Sequence, residues 1–211
     1  MKVLTISVHP DDETLGCGGS LLKHKANGDE IYCVYITDGN EFQAKFIPTI
    51  NRLFNFNKSF QLGFPETVLD DISLNEIIFK LTKVINEIKP ELIFIPNRSD
   101  VHSDHRRTFE ALMAVTKAFR YPFIKKILMC EVISETDFAP ALVENAFQPN
   151  VFVDITDFME EKLEIMGVFE SELLESPLTR SLDSINAYNR YRGSQINTMH
   201  AEVFMLLKEI L

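Results

Sequence analysis

A chain of 211 residues, 45% hydrophobic and 25% charged, has the make-up of a globular protein long enough to bury one sizeable core. Its formal net charge of −10, from 31 acidic against 21 basic residues, argues against the basic face that a nucleic-acid or anionic-membrane partner requires. No stretch approaches the roughly 18 apolar residues of a membrane span. The scattered cysteines Cys17, Cys33 and Cys130 supply neither a disulfide framework nor a thiolate metal site.

The opening residues, MKVLTISVHPDDE, do not read as a secretory signal, so a reducing cytoplasm is the expected location. Residues 2–8 are a short apolar, β-branched run that predicts a buried strand. Residues 14–27 follow as a helix, with Gly28 as its stop. Residues 31–37 (IYCVYIT) predict a second strand, ended by Asp38 and Gly39, and residues 48–61 a helix. Over 73–89, Leu74, Ile77, Ile78, Leu81, Val84, Ile85 and Ile88 fall at helical spacing, and Ser73 with Glu76 forms a capping-box pattern. Residues 92–95 predict another buried strand, stopped by Pro96, and 105–119 a helix. Residues 126–133 and 151–155 predict later strands, and 157–174 and 184–195 the closing helices. No repeat or linker divides the chain, so residues 1–211 are expected to form a single domain.

Alternating helices and strands, with strands apolar on both faces, imply an α/β fold whose mostly parallel sheet is covered on both sides. Ligands of such sheets sit beyond the carboxyl ends of the strands. Two loops there carry chemistry. The first strand ends in His9-Pro10-Asp11-Asp12-Glu13, and the strand at 92–95 leads into a loop with Asp100, His102, Asp104 and His105. Three of the five histidines fall in these two loops.

Imidazole and carboxylate are the usual nitrogen and oxygen ligands of catalytic zinc, which takes three protein ligands and keeps one position open. His9 and Asp12, three residues apart at a strand-to-helix turn, can face one point with Asp11 beside them, and His102 or His105 would complete the set. Spacing does not decide between those two. A spare carboxylate can act as general base, and a spare imidazole can stabilise an oxyanion or protonate a leaving nitrogen. Either loop alone is also explained by an ordinary turn or by a helix N-cap at Asp12 or Glu13. Both together, each directly after a buried strand, favour a site.

Other features have plainer readings. Gly16-Cys17-Gly18-Gly19 does not have phosphate-loop spacing and is expected to let a helix lie close on the sheet. Among 17 phenylalanines, Phe42, Phe46, Phe54, Phe56, Phe60 and Phe64 are core candidates, and a few of them could wall a ligand pocket. Arg190 and Arg192 could bind an anionic group, but a charge cluster at a helix end accounts for them better. His24 and His200 are expected at the surface or in packing roles.

HPDDE after the first strand and DVHSDHR after a later one resemble the PIG-L/LmbE family of metal-dependent N-deacetylases. The resemblance extends to Thr37-Asp38-Gly39, to Leu62-Gly63-Phe64 and to His200-Ala201-Glu202-Val203-Phe204, in the family's order. It implies a Rossmann-like three-layer sandwich, with zinc (or iron(II) or another divalent ion) held by His9, Asp12 and His105. It implies Asp11 as general base, His102 as the residue that, protonated, stabilises the tetrahedral intermediate, and Asp104 as a residue that orients an imidazole. The implied substrate is a small N-acetylated amino sugar. Arg52 lies near the place of a family substrate arginine, although Asn55 stands where that pattern has Glu, and Ser103 replaces a common Pro. The rival readings are an esterase or amidase acting on a non-sugar, and a non-catalytic ligand-binding module. The missing glycine fingerprint and the surplus of carboxylates speak against the second. A homo-oligomer is allowed but not specified.

Overall fold

The computed structural model describes the backbone of residues 1–211 and every side chain except those of residues 41 and 42. The seven strands are β1 (Lys2–Ser7), β2 (Glu30–Thr37), β3 (Lys58–Phe64), β4 (Leu92–Ile95), β5 (Lys126–Cys130), β6 (Val151–Asp154) and β7 (Ala201–Glu209). They form one sheet in the order β3-β2-β1-β4-β5-β7-β6. The pairings from β3 to β5 are parallel, and β7 runs antiparallel to both β5 and β6. The helices are α1 (Asp12–Ala26), α2 (Glu41–Leu53), α3 (Leu74–Ile88), α4 (Ser103–Ala114), α5 (Met159–Met166) and α6 (Leu182–Ser194).

Strand residues alternate between two cores because successive side chains leave opposite faces of a sheet. Val3, Leu92, Phe94, Leu128 and Cys130 point into one core, together with Leu15, Leu21 and Leu22 of α1, Ile165 of α5 and Ile185 of α6. Leu4, Ile6, Ile93, Ile95, Ile127 and Met129 point into the other, with Ile77, Leu81 and Ile85 of α3 and Leu112 of α4. The result is the expected three-layer α/β sandwich. The Gly-rich segment of α1 lies close on its neighbours: a Cβ at Gly19 would meet Ile155 at 2.8 Å, and one at Gly16 would meet the Cys130 Cβ at 3.2 Å. Gly28, at φ +82°, ends α1 in a backbone region that side chains disfavour.

Several element boundaries differ from the sequence expectation. Residues 48–61 are not one helix: α2 begins at Glu41 and stops at Leu53, and residues 58–64 form edge strand β3, half-exposed and irregular in pairing near Tyr35 and Thr37. The helix expected from 105 begins at Ser103 and ends at Ala114, and the one expected over 157–174 is α-helical only over Met159–Met166. β5 stops at Cys130, and β7 was not expected at all. Ser73 occupies the N-cap position of α3, but its side chain makes no capping hydrogen bond.

The chain leaves β1 toward β2 and β3, then returns to the other side of β1 as β4. The strand order therefore switches between β1 and β4, and the loops after these two strands border one crevice at the carboxyl ends of the strands.

Candidate active site

The loop after β1 is held by its own carboxylates. The His9 N–H donates to Asp12 Oδ2 (2.8 Å), and the Asp11 N–H donates to Glu13 Oε2 (3.2 Å). Ser7 Oγ lies 2.6 Å from the same Glu13 oxygen. Asp11 sits at φ 137°, an uncommon backbone for a non-glycine residue, at the N-cap of α1. The β2 loop packs beneath it. Gly39 (φ +66°) approaches so closely that a Cβ there would lie 2.8 Å from Pro10 Cδ, and Gln43 Nε2 donates to the Pro10 carbonyl (3.2 Å).

The loop after β4 brings the second set. Asp100 is buried, its Oδ1 accepting from Thr136 Oγ1 (2.7 Å) and its Oδ2 from His105 Nδ1 (2.8 Å). Asp104 accepts the Thr67 and Leu69 N–H groups (2.8 and 3.1 Å), and His9 Nε2 donates to its Oδ2 (3.1 Å). Each outer ring nitrogen of His9 and His105 thus faces a carboxylate that fixes the ring, and the inner nitrogen is turned toward Asp12. His102 caps α4 in an unusual way, its ring Nδ1 accepting the Asp104 N–H (3.1 Å). Its Nε2 then carries the proton and is a donor.

The inner atoms converge. Ligand atoms of His9, Asp12 and His105 lie within 4.8 Å of one another, and all three residues are buried. Asp12 Oδ2 is 3.7 Å from His9 Nδ1 and 3.2 Å from His105 Nε2. Two ligands about 2.1 Å from a tetrahedral ion stand roughly 3.4 Å apart, so this spacing fits a shared metal. His105 Nε2 is buried without a hydrogen-bond partner, as an atom awaiting a metal bond would be. The three residues thus form a group able to hold a divalent ion. His102 stands at its rim, its ring centroid 4.5 Å from that of His9.

The electrostatics follow the geometry. Burial alone would raise the Asp12 carboxyl, but His105 and His9 beside it hold it well below the usual range. Burial opposes charge on His105, yet Asp12 and Asp100 push its pKa well up. Burial, with Asp12 and Glu13 nearby, drives the Asp11 carboxyl well up against the pull of Arg180. Burial and the neighbouring His9 lower His102.

Arg52 is not brought to this cluster. It lies exposed in the last turn of α2, which runs away from the crevice toward the amino end of β3, where the Asn57 N–H reaches the Ile31 carbonyl. A different arginine is present. Arg180, from the segment before α6, places Nη1 3.1 Å from Asp11 Oδ2 and 3.4 Å from Glu172 Oε2, and Nη2 3.3 Å from Glu135 Oε1. Arg180, Glu135 and Glu172 carried no signal that would have singled them out in sequence, whereas Asp100 lies in the second loop that the sequence marks. Arg192 instead pairs with both oxygens of Glu131 (2.6 and 2.7 Å), and Arg190 is exposed. Phe54 and Phe64 are buried in the cores, and Phe46, Phe56 and Phe60 pack against them, so none of these five forms a sugar wall; the Phe42 side chain lies outside the described residues.

The family described as PIG-L, GlcNAc-PI de-N-acetylase, matches residues 4–51 and 49–116, more than half of the chain and both site loops. Diacetylchitobiose deacetylase of Thermococcus kodakarensis is 28% identical over 192 residues, covering 82% of this chain and 71% of that protein. Among solved structures, N,N'-diacetylchitobiose deacetylase from Pyrococcus horikoshii in complex with its inhibitor MPG is similar at a TM-score of 0.78 and 24% identity, over 98% of this chain and 84% of that one. The 4-carboxy-2-hydroxymuconate hydratase of Pseudomonas putida KT2440 has the same fold at a TM-score of 0.72 and 14% identity, over 100% and 97% of the two chains. Since that protein is a hydratase, the fold by itself does not select a reaction.

Proposed function

We propose that this chain, which belongs to the PIG-L family, is a zinc-dependent hydrolase that removes the acetyl group from the nitrogen of an N-acetylglucosamine-type sugar or glycoconjugate. The observation that carries the reading is the buried convergence of His9, Asp12 and His105, with Asp11 beside it and His102 at its rim. The name of the Thermococcus relative supports the reaction and the substrate class. Two imidazole nitrogens and one carboxylate oxygen suit zinc and also accept iron(II) or another divalent ion. When bound there, the ion supplies Lewis-acid chemistry, a positive charge for the acyl oxygen and for the attacking water.

The remaining work falls to side chains. Asp11, desolvated and therefore proton-seeking, takes a proton from the attacking water as its oxygen bonds to the acetamide carbon. His102 donates through Nε2 to the acyl oxygen as charge gathers there. Asp11 then returns the proton to the nitrogen as the carbon–nitrogen bond breaks, giving acetate and a free amine. Asp104 and Asp100 keep His9 and His105 in the orientation and tautomer that ligation needs.

One continuous sheet from Lys2 to Glu209 supports taking residues 1–211 as a single catalytic domain. Three buried free cysteines support a reducing cytoplasm as its location, and no helix among the described residues is long and apolar enough to cross a membrane. The test is acetate release by the zinc- or iron-loaded chain from a panel of N-acetylglucosamine conjugates set beside simple acetyl esters. The reading requires sugar turnover that a chelator abolishes and added metal restores. Turnover of esters alone, or of nothing, contradicts it.

A further inference from the structure

Glu135, in the segment after β5, is 8% exposed. Its Oε1 accepts from Arg180, the guanidinium that also holds Asp11, and its backbone carbonyl accepts the N–H of Val101, the residue before His102. It is thus tied to both halves of the site, and His105 and Asp12 are close enough to act on it electrostatically. Its other oxygen, Oε2, is buried and has no hydrogen-bond donor among the described residues. Arg180 gives three of its five N–H groups to Asp11, Glu172 and Glu135 Oε1, and none of these bonds reaches Oε2. A buried acceptor left unpaired beside a reactive cluster needs a reason, and a donor arriving with a ligand provides one. The acid surplus around it also suits a ligand that brings O–H or N–H groups rather than an anion.

We propose that Glu135 Oε2 is a substrate-recognition acceptor for an O–H or N–H donor flanking the scissile acetamide, with Arg180 as the positioning residue that holds Glu135 and Asp11 together. The proposal rests on the deacetylase reading for the location of the substrate, but it is tested by binding. The variant is Glu135→Gln. Its carbonyl oxygen can keep the bond to Arg180, while its amide NH2 replaces Oε2 and sets donor against donor.

Glucosamine and N-acetylglucosamine are titrated by ligand-observed NMR, up to millimolar concentration, into the zinc-loaded wild type and variant. Metal content, unfolding midpoint and acetate release are followed in the same samples. Binding weaker by about tenfold to a hundredfold in the variant, with metal content and unfolding midpoint unchanged, supports the proposal. Weakening for both sugars assigns the donor to a ring hydroxyl, and weakening for only one assigns it to the nitrogen. Equal binding by both proteins, no binding by either, or a parallel loss of metal or stability overturns it. Binding that the variant loses, without acetate release by the wild type, would sustain the recognition site while removing the deacetylase reading.

Discussion

Two groups of buried charges sit in this molecule, and they are built on opposite principles. Beneath α1, Lys162 is fully buried and donates to Glu202 Oε1 (2.7 Å), the Leu15 carbonyl (3.0 Å) and Asn189 Oδ1 (3.4 Å). Glu202 also accepts the Gly19 and Ser20 N–H groups at 2.8 and 2.7 Å. One cation meets one anion, all three Lys162 N–H groups are used, and both Glu202 oxygens have a donor. At the crevice, Asp11, Asp12, Asp100, Asp104 and Glu135 are gathered with Arg180, His105 Nε2 and Glu135 Oε2 have no hydrogen-bond partner among the described residues, and Asp11 holds an uncommon backbone. A satisfied buried ion pair fixes architecture, here the seating of α1 on β7 and α5. An unsatisfied set marks the place where something else must bind. Motif membership does not separate the two, since Glu202 lies in the HAEVF stretch that shares the family resemblance and yet belongs to the structural pair.

Substitutions in each group should therefore fail in different ways. The largest effect is expected from Asp11→Asn, which should lower kcat by about 10²- to 10⁴-fold while the purified variant keeps its metal; near-wild-type turnover would remove Asp11 from the chemistry. Lys162→Met leaves Glu202 buried and uncompensated. It should cost about 3–5 kcal/mol in urea unfolding, with metal content per folded chain unchanged. Were that variant to lose metal before stability, the division drawn here would break down. Asp100→Asn loosens the hold on His105 without removing a ligand, and competitive chelation should show metal affinity weaker by about tenfold to a hundredfold. Arg52→Ala anchors the bottom of the scale: kcat/KM on any accepted sugar should stay within about twofold, as for an exposed residue at the far edge of the sheet.

The crevice side of this division is legible in the sequence, for physical reasons, and the Lys162–Glu202 pair is not. β1 and β4 are apolar on both faces, so their runs stand out, and the reactive loops follow them directly in the chain. Fold class and metal-capable residues can therefore be read from local pattern. β3 could not be, because an edge strand buries little and KSFQLGF carries no clear period. β7 was missed because only its first half is buried. Arg180 reaches Asp11 across 169 residues of chain, and Glu135 comes from an irregular segment, so no spacing rule connects either to the motifs. Arg52 was misplaced because a family position was carried over without its usual acidic neighbour, and α2 points that turn away from the site.

The most direct test of the central claim is metal titration of the wild type against His105→Ala, with circular dichroism to verify the fold. The account predicts about one divalent ion per wild-type chain and none retained by a still-folded variant. A wild type that takes up no ion, or a variant that binds as tightly as the wild type, would mean that the buried Nε2 of His105 is not there for a metal.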